Sequence, residues 1–385
     1  MALPREFPPL SEEQVVGSTC TRLAGLGSEI RRMFLLGEER RRERPGSKLI
    51  DLSLGNPDLE PPEAVLKALI EVASEVLPGA HRYMDNAGYP EVRAFIGRSL
   101  SHTEGVLLGE NNVFLTCGAA GGIQILMRVL LDPGDEVVLF APYFSEYVPY
   151  SVNMGAKPVT VPTDDAHLPH PHALEAALTP STRLVILNSP NNPSGVVYPR
   201  ATCEALFEVL RRHRERTGRV VHVLSDEPYA NLIFKPSDYV PLLPLYDALW
   251  VVRSHSKDLG LAGERIGYLA WGKALEGAST LGALRNAARS MGFVNAPALM
   301  QRLLPKVFDA RVDTGVYAER VRAFCDILAA GGVSCVRPGG TFFVFPKSPV
   351  LDDRAFSQAL LEKGVLVVPG SGFGKPGYVR CSLSR

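Results

Sequence analysis

Five short runs rich in valine, isoleucine and leucine, at 113–115, 136–140, 184–187, 220–224 and 250–252, constrain this chain more than any other feature. Their polarity mostly does not alternate, which is the pattern of strands covered on both faces, as in a parallel sheet. Helical stretches stand between them, at 173–178 and at 200–215, the second ending on Thr217-Gly218. Strand and helix in succession predict an α/β fold, a three-layer α/β/α domain around a mostly parallel sheet. After about residue 289 the pattern changes: long helical stretches (296–310 and 317–329) precede strand-like runs at 341–345 and 365–368. A length of 385 residues suggests roughly two domains. The expected division is a large domain over 51–289 and a smaller α+β domain built from 1–50 and 290–385.

Forty-one basic residues balance 41 acidic ones, so the basic surplus of a nucleic-acid binder is missing. The dense charge run at 38–44 mixes both signs and reads as a solvated end, before Pro45-Gly46, of a helix over 27–43. Cys20, Cys117, Cys203, Cys325, Cys335 and Cys381 are scattered, without a Cys-x-x-Cys pair. They fit reduced thiols better than a disulfide framework, and no metal site is expected. No apolar run reaches the ~18–20 residues that span a bilayer, and residues 1–10 lack the build of a secretory signal. A cytoplasmic protein is the expectation.

In open α/β sheets ligands gather beyond the carboxyl ends of the strands, and the chemically loaded segments here follow the strand-like runs. Ser254-His255-Ser256-Lys257 comes directly after 248–252, with Arg265 eight residues further on. A lysine directly after two hydroxyl residues can form a Schiff base with an aldehyde cofactor, whose phosphate the serines and the arginine can hold. Gly118, Ala119 and Ala120 lead into a helix-like stretch at 123–131; such small residues suit an anion at a helix start, and equally suit a tight turn. The segment from Asn188 to Gly195 is explained by turn chemistry alone. Asp226, after 220–224, is a carboxylate at the end of a buried strand, costly there unless paired. A protonated ring nitrogen would pair it, with Tyr229 donating to a ring oxygen; a helix N-cap role would also serve. The segment 370–376 has a glycine pattern near that of a nucleotide loop, but its first glycine is misplaced and Pro376 stands where Ser or Thr is needed.

Asn192-Pro193-Ser194-Gly195, Asp226-x-x-Tyr229, Ser254-x-Ser256-Lys257 and Arg265-x-Gly267 occur in this order. The chain thereby resembles the class I/II aminotransferases, pyridoxal 5′-phosphate enzymes of fold type I, from about Leu52 to Arg380. The resemblance implies that Lys257 binds the cofactor as a Schiff base and then moves the proton as general acid and base. Asp226 would keep the ring nitrogen protonated, Asn192 and Tyr229 would hydrogen-bond the ring oxygen, and Phe144 would stack on the ring. Gly118, Ala119, Ala120, Ser254, Ser256 and Arg265 would hold the phosphate. Arg380 would grip the substrate α-carboxylate, with Gly55 passing close to it. Tyr83 would reach into the partner's site, implying a homodimer with shared active sites.

Three departures accompany the resemblance. His255 replaces a large apolar or aromatic residue, as a packing change or as a tuning group. The sequence ends five residues beyond Arg380, before the helix that family members carry there. Ala120 stands where one aspartate-specific branch has a lysine for the distal carboxylate. Arg289 lies near where another branch places an arginine for a dicarboxylate side chain, so aspartate or glutamate is one expected substrate. The expected reaction moves an amino group from an L-amino acid to a 2-oxo acid, by ping-pong transfer through the pyridoxamine form. A lyase or decarboxylase of the same fold would use the same Lys257 and Asp226, and a non-catalytic cofactor-binding module is the remaining alternative.

Overall fold

The structure, a computed structural model, describes residues 15–26, 28–44, 46 and 48–384. Residues 1–10, where no secretory signal was expected, lie outside the described residues, as do Gly27, Pro45 and Arg385. Twelve strands occur among the described residues: β1 (Ile50–Asp51), β2 (Val113–Cys117), β3 (Glu136–Ala141), β4 (Lys157–Pro162), β5 (Thr182–Asn188), β6 (His222–Asp226), β7 (Leu249–Ser254), β8 (Ile266–Trp271), β9 (Phe343–Val344), β10 (Val365–Leu366), β11 (Val368–Pro369) and β12 (Val379–Ser382). Twelve α-helices accompany them among the described residues: α1 (Ser18–Gly25), α2 (Glu29–Glu43), α3 (Glu63–Ser74), α4 (Pro90–Glu104), α5 (Gly118–Leu130), α6 (Tyr147–Asn153), α7 (Pro171–Ala177), α8 (Arg200–Thr217), α9 (Ala278–Ser290), α10 (Ala298–Val307), α11 (Thr314–Ala330) and α12 (Asp353–Glu362).

Seven strands form the main sheet in the order β2-β8-β7-β6-β5-β3-β4. Only β8 runs antiparallel to its neighbours; the pairs from β7 through β4 are parallel. The lack of polarity alternation has a direct cause. Along β3, Val138 and Phe140 enter one core while Val137 and Leu139 enter the other, and β7 divides Leu249 and Val251 from Trp250 and Val252 in the same way. Helices α4 and α8 cover the first face, α5 and α9 the second. Each such buried aliphatic side chain is worth roughly 1.5–3 kcal/mol, so both layers are needed to hold the sheet.

The second unit holds an antiparallel sheet β11-β12-β9 and a parallel pair of β1 with β10. Met33 of α2 is buried there with Phe345, Leu361, Leu366 and Phe373. At the end of α2, Arg41 bridges Glu38 and Asp51, 2.7 Å from the latter, so the charge run is partly anchored to β1.

Helix α10, which the expected division at residue 290 assigns to the smaller domain, packs against the main sheet. Met300, Leu303, Leu304 and Val307 of α10 lie in the core of the main sheet with Val65, Val92 and Ile96 from α3 and α4. Helical periodicity identifies an apolar face without saying which layer will cover it. No helix among the described residues is long and apolar enough to cross a membrane.

Candidate active site

The parallel strands end on one side of the sheet, and their last residues supply the site. β6 ends in Asp226, β7 in Ser254 two residues before Ser256, and β5 in Asn188. β2 passes into α5 through Gly118, whose φ of +69° is left-handed and free of strain for glycine. These ends surround a cavity of about 290 Å³. Twelve of the residues expected from sequence line it: Gly55, Ala119, Ala120, Phe144, Asn192, Asp226, Tyr229, Ser254, Ser256, Lys257, Arg265 and Arg380. Gly118 lies beneath it, against the Arg265 guanidinium, where any Cβ would collide. Tyr83 is 91% exposed, Arg289 is exposed on α9, and neither lines this cavity.

Lys257 Nζ donates to the Gly55 carbonyl at 2.7 Å. Burial, with the nearby charges of Arg380 and Arg265, brings its ammonium down to about 8. A lysine so placed offers neutral amine near physiological pH, as a nucleophile or proton carrier requires.

Asp226 is buried. Its Oδ2 accepts from the Tyr147 hydroxyl at 2.5 Å, while Oδ1 has no hydrogen-bond partner among the described residues. Burial pushes its carboxyl up to about 7 against the Tyr147 hydrogen bond, and Glu227 adds to the rise. A buried carboxylate oxygen left unpaired is costly, so the position calls for a cationic N–H donor. Asn188 donates Nδ2 to the Asp226 carbonyl at 2.8 Å and accepts from the Asn192 N–H at 2.7 Å, tying β6 to the next loop. Sequence reasoning missed both Tyr147 and Asn188. The only signal for Tyr147 was its place one helical turn beyond Phe144, whose ring it meets edge-on at 5.5 Å.

Arg380, on β12, is 1% exposed and lies between the rings of Phe343 and Phe373, at 4.6 and 4.9 Å. It donates to Asn192 Oδ1 at 3.1 Å and to the Ser53 carbonyl at 2.5 Å, while Nε has no partner among the described residues. Burial lowers it to about 10, which leaves it charged at neutral pH. A buried guanidinium held by neutral acceptors, with no carboxylate partner among the described residues, is poised for a carboxylate from outside.

Arg265 adopts a left-handed φ of +54° and donates to the Ala262 carbonyl at 2.9 Å, which aims its fork over the start of α5. With Ser254, Ser256 and the free N–H groups of that helix start, it forms a set suited to a phosphate. Pyridoxal phosphate matches these residues: an acceptor for its ring nitrogen, donors for its phosphate and an amine for its aldehyde. His255 turns away, its Nδ1 3.2 Å from Asp258 Oδ2 and its ring against Tyr268 and Phe308. The segment 370–376 binds the protein itself: Lys375 Nζ bonds Thr163 at 3.1 Å and His167 at 2.8 Å.

The family model described as aminotransferase class I and II matches residues 47–385. The chain belongs to this family. A relative from Thermus aquaticus, a probable aspartate/prephenate aminotransferase, is 31% identical over 363 residues, covering 89% of this chain and 88% of that one. An aspartate/prephenate aminotransferase from Cereibacter sphaeroides is 33% identical, covering 88% of each. Among solved structures, an amino transferase from Eubacterium rectale superposes with a TM-score of 0.91 at 34% identity, covering 96% of this chain and 94% of that one. Aspartate aminotransferase from Thermus thermophilus with maleate gives 0.83 at 27% identity, covering 94% of each. This class I and II aminotransferase is therefore a pyridoxal-phosphate-dependent enzyme of fold type I, and it transfers an amino group from an amino acid to a 2-oxo acid.

Proposed function

We propose that the aminotransferase works through Lys257, Asp226 and Arg380, and that its donor is a dicarboxylic amino acid. Bound pyridoxal phosphate supplies an electrophilic carbon for the amino group and a ring that accepts the electrons left when the α-proton departs. The observation that carries the reading is the cavity's pairing of one amine near neutrality, Lys257, with one buried guanidinium lacking a carboxylate, Arg380. Arg380 holds the α-carboxylate, which leaves the α-carbon proton within the compass of Lys257. Asp226 accepts from the ring nitrogen, and Tyr147 holds the carboxylate in place. Asn192 and Tyr229 would bond the ring oxygen, and Phe144 would stack on the ring. Gly118, Ala119, Ala120, Ser254, Ser256 and Arg265 take the phosphate.

The partner subunit completes the site in this reading. Tyr83, with Leu66, Ile70, Val76 and Leu77, forms an exposed apolar set on and beyond α3, suited to a second copy of the chain. Tyr83 and Arg289 then act across the dimer, Tyr83 toward the cofactor and Arg289 toward the distal carboxylate. Six free cysteines suit a cytoplasmic protein.

Relatives named for aspartate support the dicarboxylate donor. One observation favours a second reading: Ile30 and Ile123 line the cavity, and Ala120 brings no charge to it, as an apolar substrate side chain would require. Half-reaction rates with aspartate and phenylalanine, in wild type and Arg289→Ala, separate the two. Loss of one member of a desolvated charge pair should slow aspartate relative to phenylalanine by at least about 30-fold. An unchanged ratio refutes the role of Arg289 and leaves the apolar donor.

A further inference from the structure

Behind the cavity lies a charged cluster that the reaction does not use. Arg253 donates to Glu227 Oε2 through Nε at 3.0 Å and Nη2 at 2.8 Å, and Nη2 also reaches Glu104 Oε1 at 2.9 Å. Tyr239 joins Glu104, Arg253 and Glu227, and Ser225 Oγ donates to Glu227 Oε1 at 2.7 Å. The charged side chains are at most 10% exposed. Such a buried pair brings little net stability over apolar side chains of the same volume, so its position is the more telling fact.

Strand alternation places these residues opposite the site. Asp226 faces the cavity and Glu227 the reverse; on the neighbouring strand Ser254 faces the cavity and Arg253 the reverse. Asp226 pairs with Val252 in register, and the Glu227 N–H donates to the Val252 carbonyl at 2.9 Å. The Glu227–Arg253 ion pair therefore crosses from β6 to β7 at the residues adjoining Asp226 and Ser254. Glu104 at the end of α4 and Tyr239 fasten it from outside. The ring nitrogen and the phosphate of pyridoxal phosphate are joined through the ring and one short methylene–oxygen arm, so the protein must present their anchors within a limited range of separations.

We propose that Glu227 and Arg253 are positioning residues, a buried clamp that sets the distance between Asp226 and the phosphate group anchored at Ser254. This rests on the assignment of Asp226 to the ring nitrogen given above. Two ligands of the cofactor-free protein test it by equilibrium titration: pyridoxal phosphate, which needs both anchors, and inorganic phosphate, which needs one. Arg253→Lys keeps the charge and loses the fork. It should weaken pyridoxal phosphate roughly tenfold, the usual scale for a group that orients a binding residue, and leave phosphate unchanged. Glu227→Gln, nearly isosteric, should shift the two ligands in the same unequal sense and serves if the lysine variant does not fold. Equal weakening of both ligands, or of neither, overturns the clamp. Asp226→Ala runs in parallel: if it leaves pyridoxal phosphate affinity unchanged, the assignment of Asp226 fails, whereas loss there alone condemns only the clamp.

Discussion

Lys257→Ala is expected to lower the steady-state transamination rate by about 10,000-fold or more, because one residue then ceases to supply both the nucleophile and the proton carrier. Among the described residues Lys257 is the only lysine lining the cavity. The loss should appear in kcat far more than in amino-acid affinity, since Arg380 and Asn192 keep their mutual bond in the variant. Its pH dependence follows from the lowered ammonium. Only the neutral amine attacks an aldehyde, and the neutral form prevails above about 8. Capture of pyridoxal phosphate by the cofactor-free wild type, followed by stopped-flow absorbance, should accelerate as pH rises through about 8 and then level off. A flat profile from pH 6 to 9 would show that another group controls the step.

Asp226→Asn should reduce kcat/KM by about 1,000-fold, the upper range for removing one preorganised electrostatic partner of a developing charge. The amide fills the same space and can still accept from Tyr147, but it carries no charge to hold a proton on a ring nitrogen. Stability should move the other way in the cofactor-free protein. Burial raises the Asp226 carboxyl from near 3.8 to about 7. A group whose folded-state value is raised contributes stability below its unfolded value and loses it as pH climbs through the folded one. At pH 8 the wild type therefore carries an unpaired buried charge that the amide removes. Asp226→Asn should raise Tm at pH 8 and leave it unchanged near pH 4. A lower Tm at pH 8 would mean that Asp226 already has a partner that the structure does not show.

The parts of the fold that were legible in the sequence are those buried on both faces. β3, β5 and β7 appear as unbroken aliphatic runs because two helical layers cover them. β4 was not legible: it lies at the sheet edge, with Pro158 and Pro162 and a partly exposed surface, where proline is tolerated and pattern is weak. β8 was hidden for another reason: Arg265-x-Gly267 reads as a site motif, although Gly267 already belongs to the strand. The packing of α10 was not legible because its apolar face suits either layer, and only contact with α3 and α4 assigns it.

The site was legible where a residue's chemistry is unusual for its place. A carboxylate at a buried strand end and a lysine among hydroxyls both require a partner, and the structure brings Asp226 and Lys257 to one cavity. Tyr147, Asn188 and the aromatic pair around Arg380 act by holding another side chain, and nothing in their own local sequence announces that. His255 proved to face Asp258 rather than the cavity, as alternation beside Ser256 would dictate.

The most direct test of the account is a single-turnover measurement: purified holoenzyme mixed with one amino acid and no 2-oxo acid, with products and cofactor absorbance followed together. The account predicts loss of the lysine-bound cofactor's absorbance, one equivalent of 2-oxo acid per subunit, and recovery of the absorbance when a 2-oxo acid is added. Continued turnover with release of ammonia or carbon dioxide would contradict it.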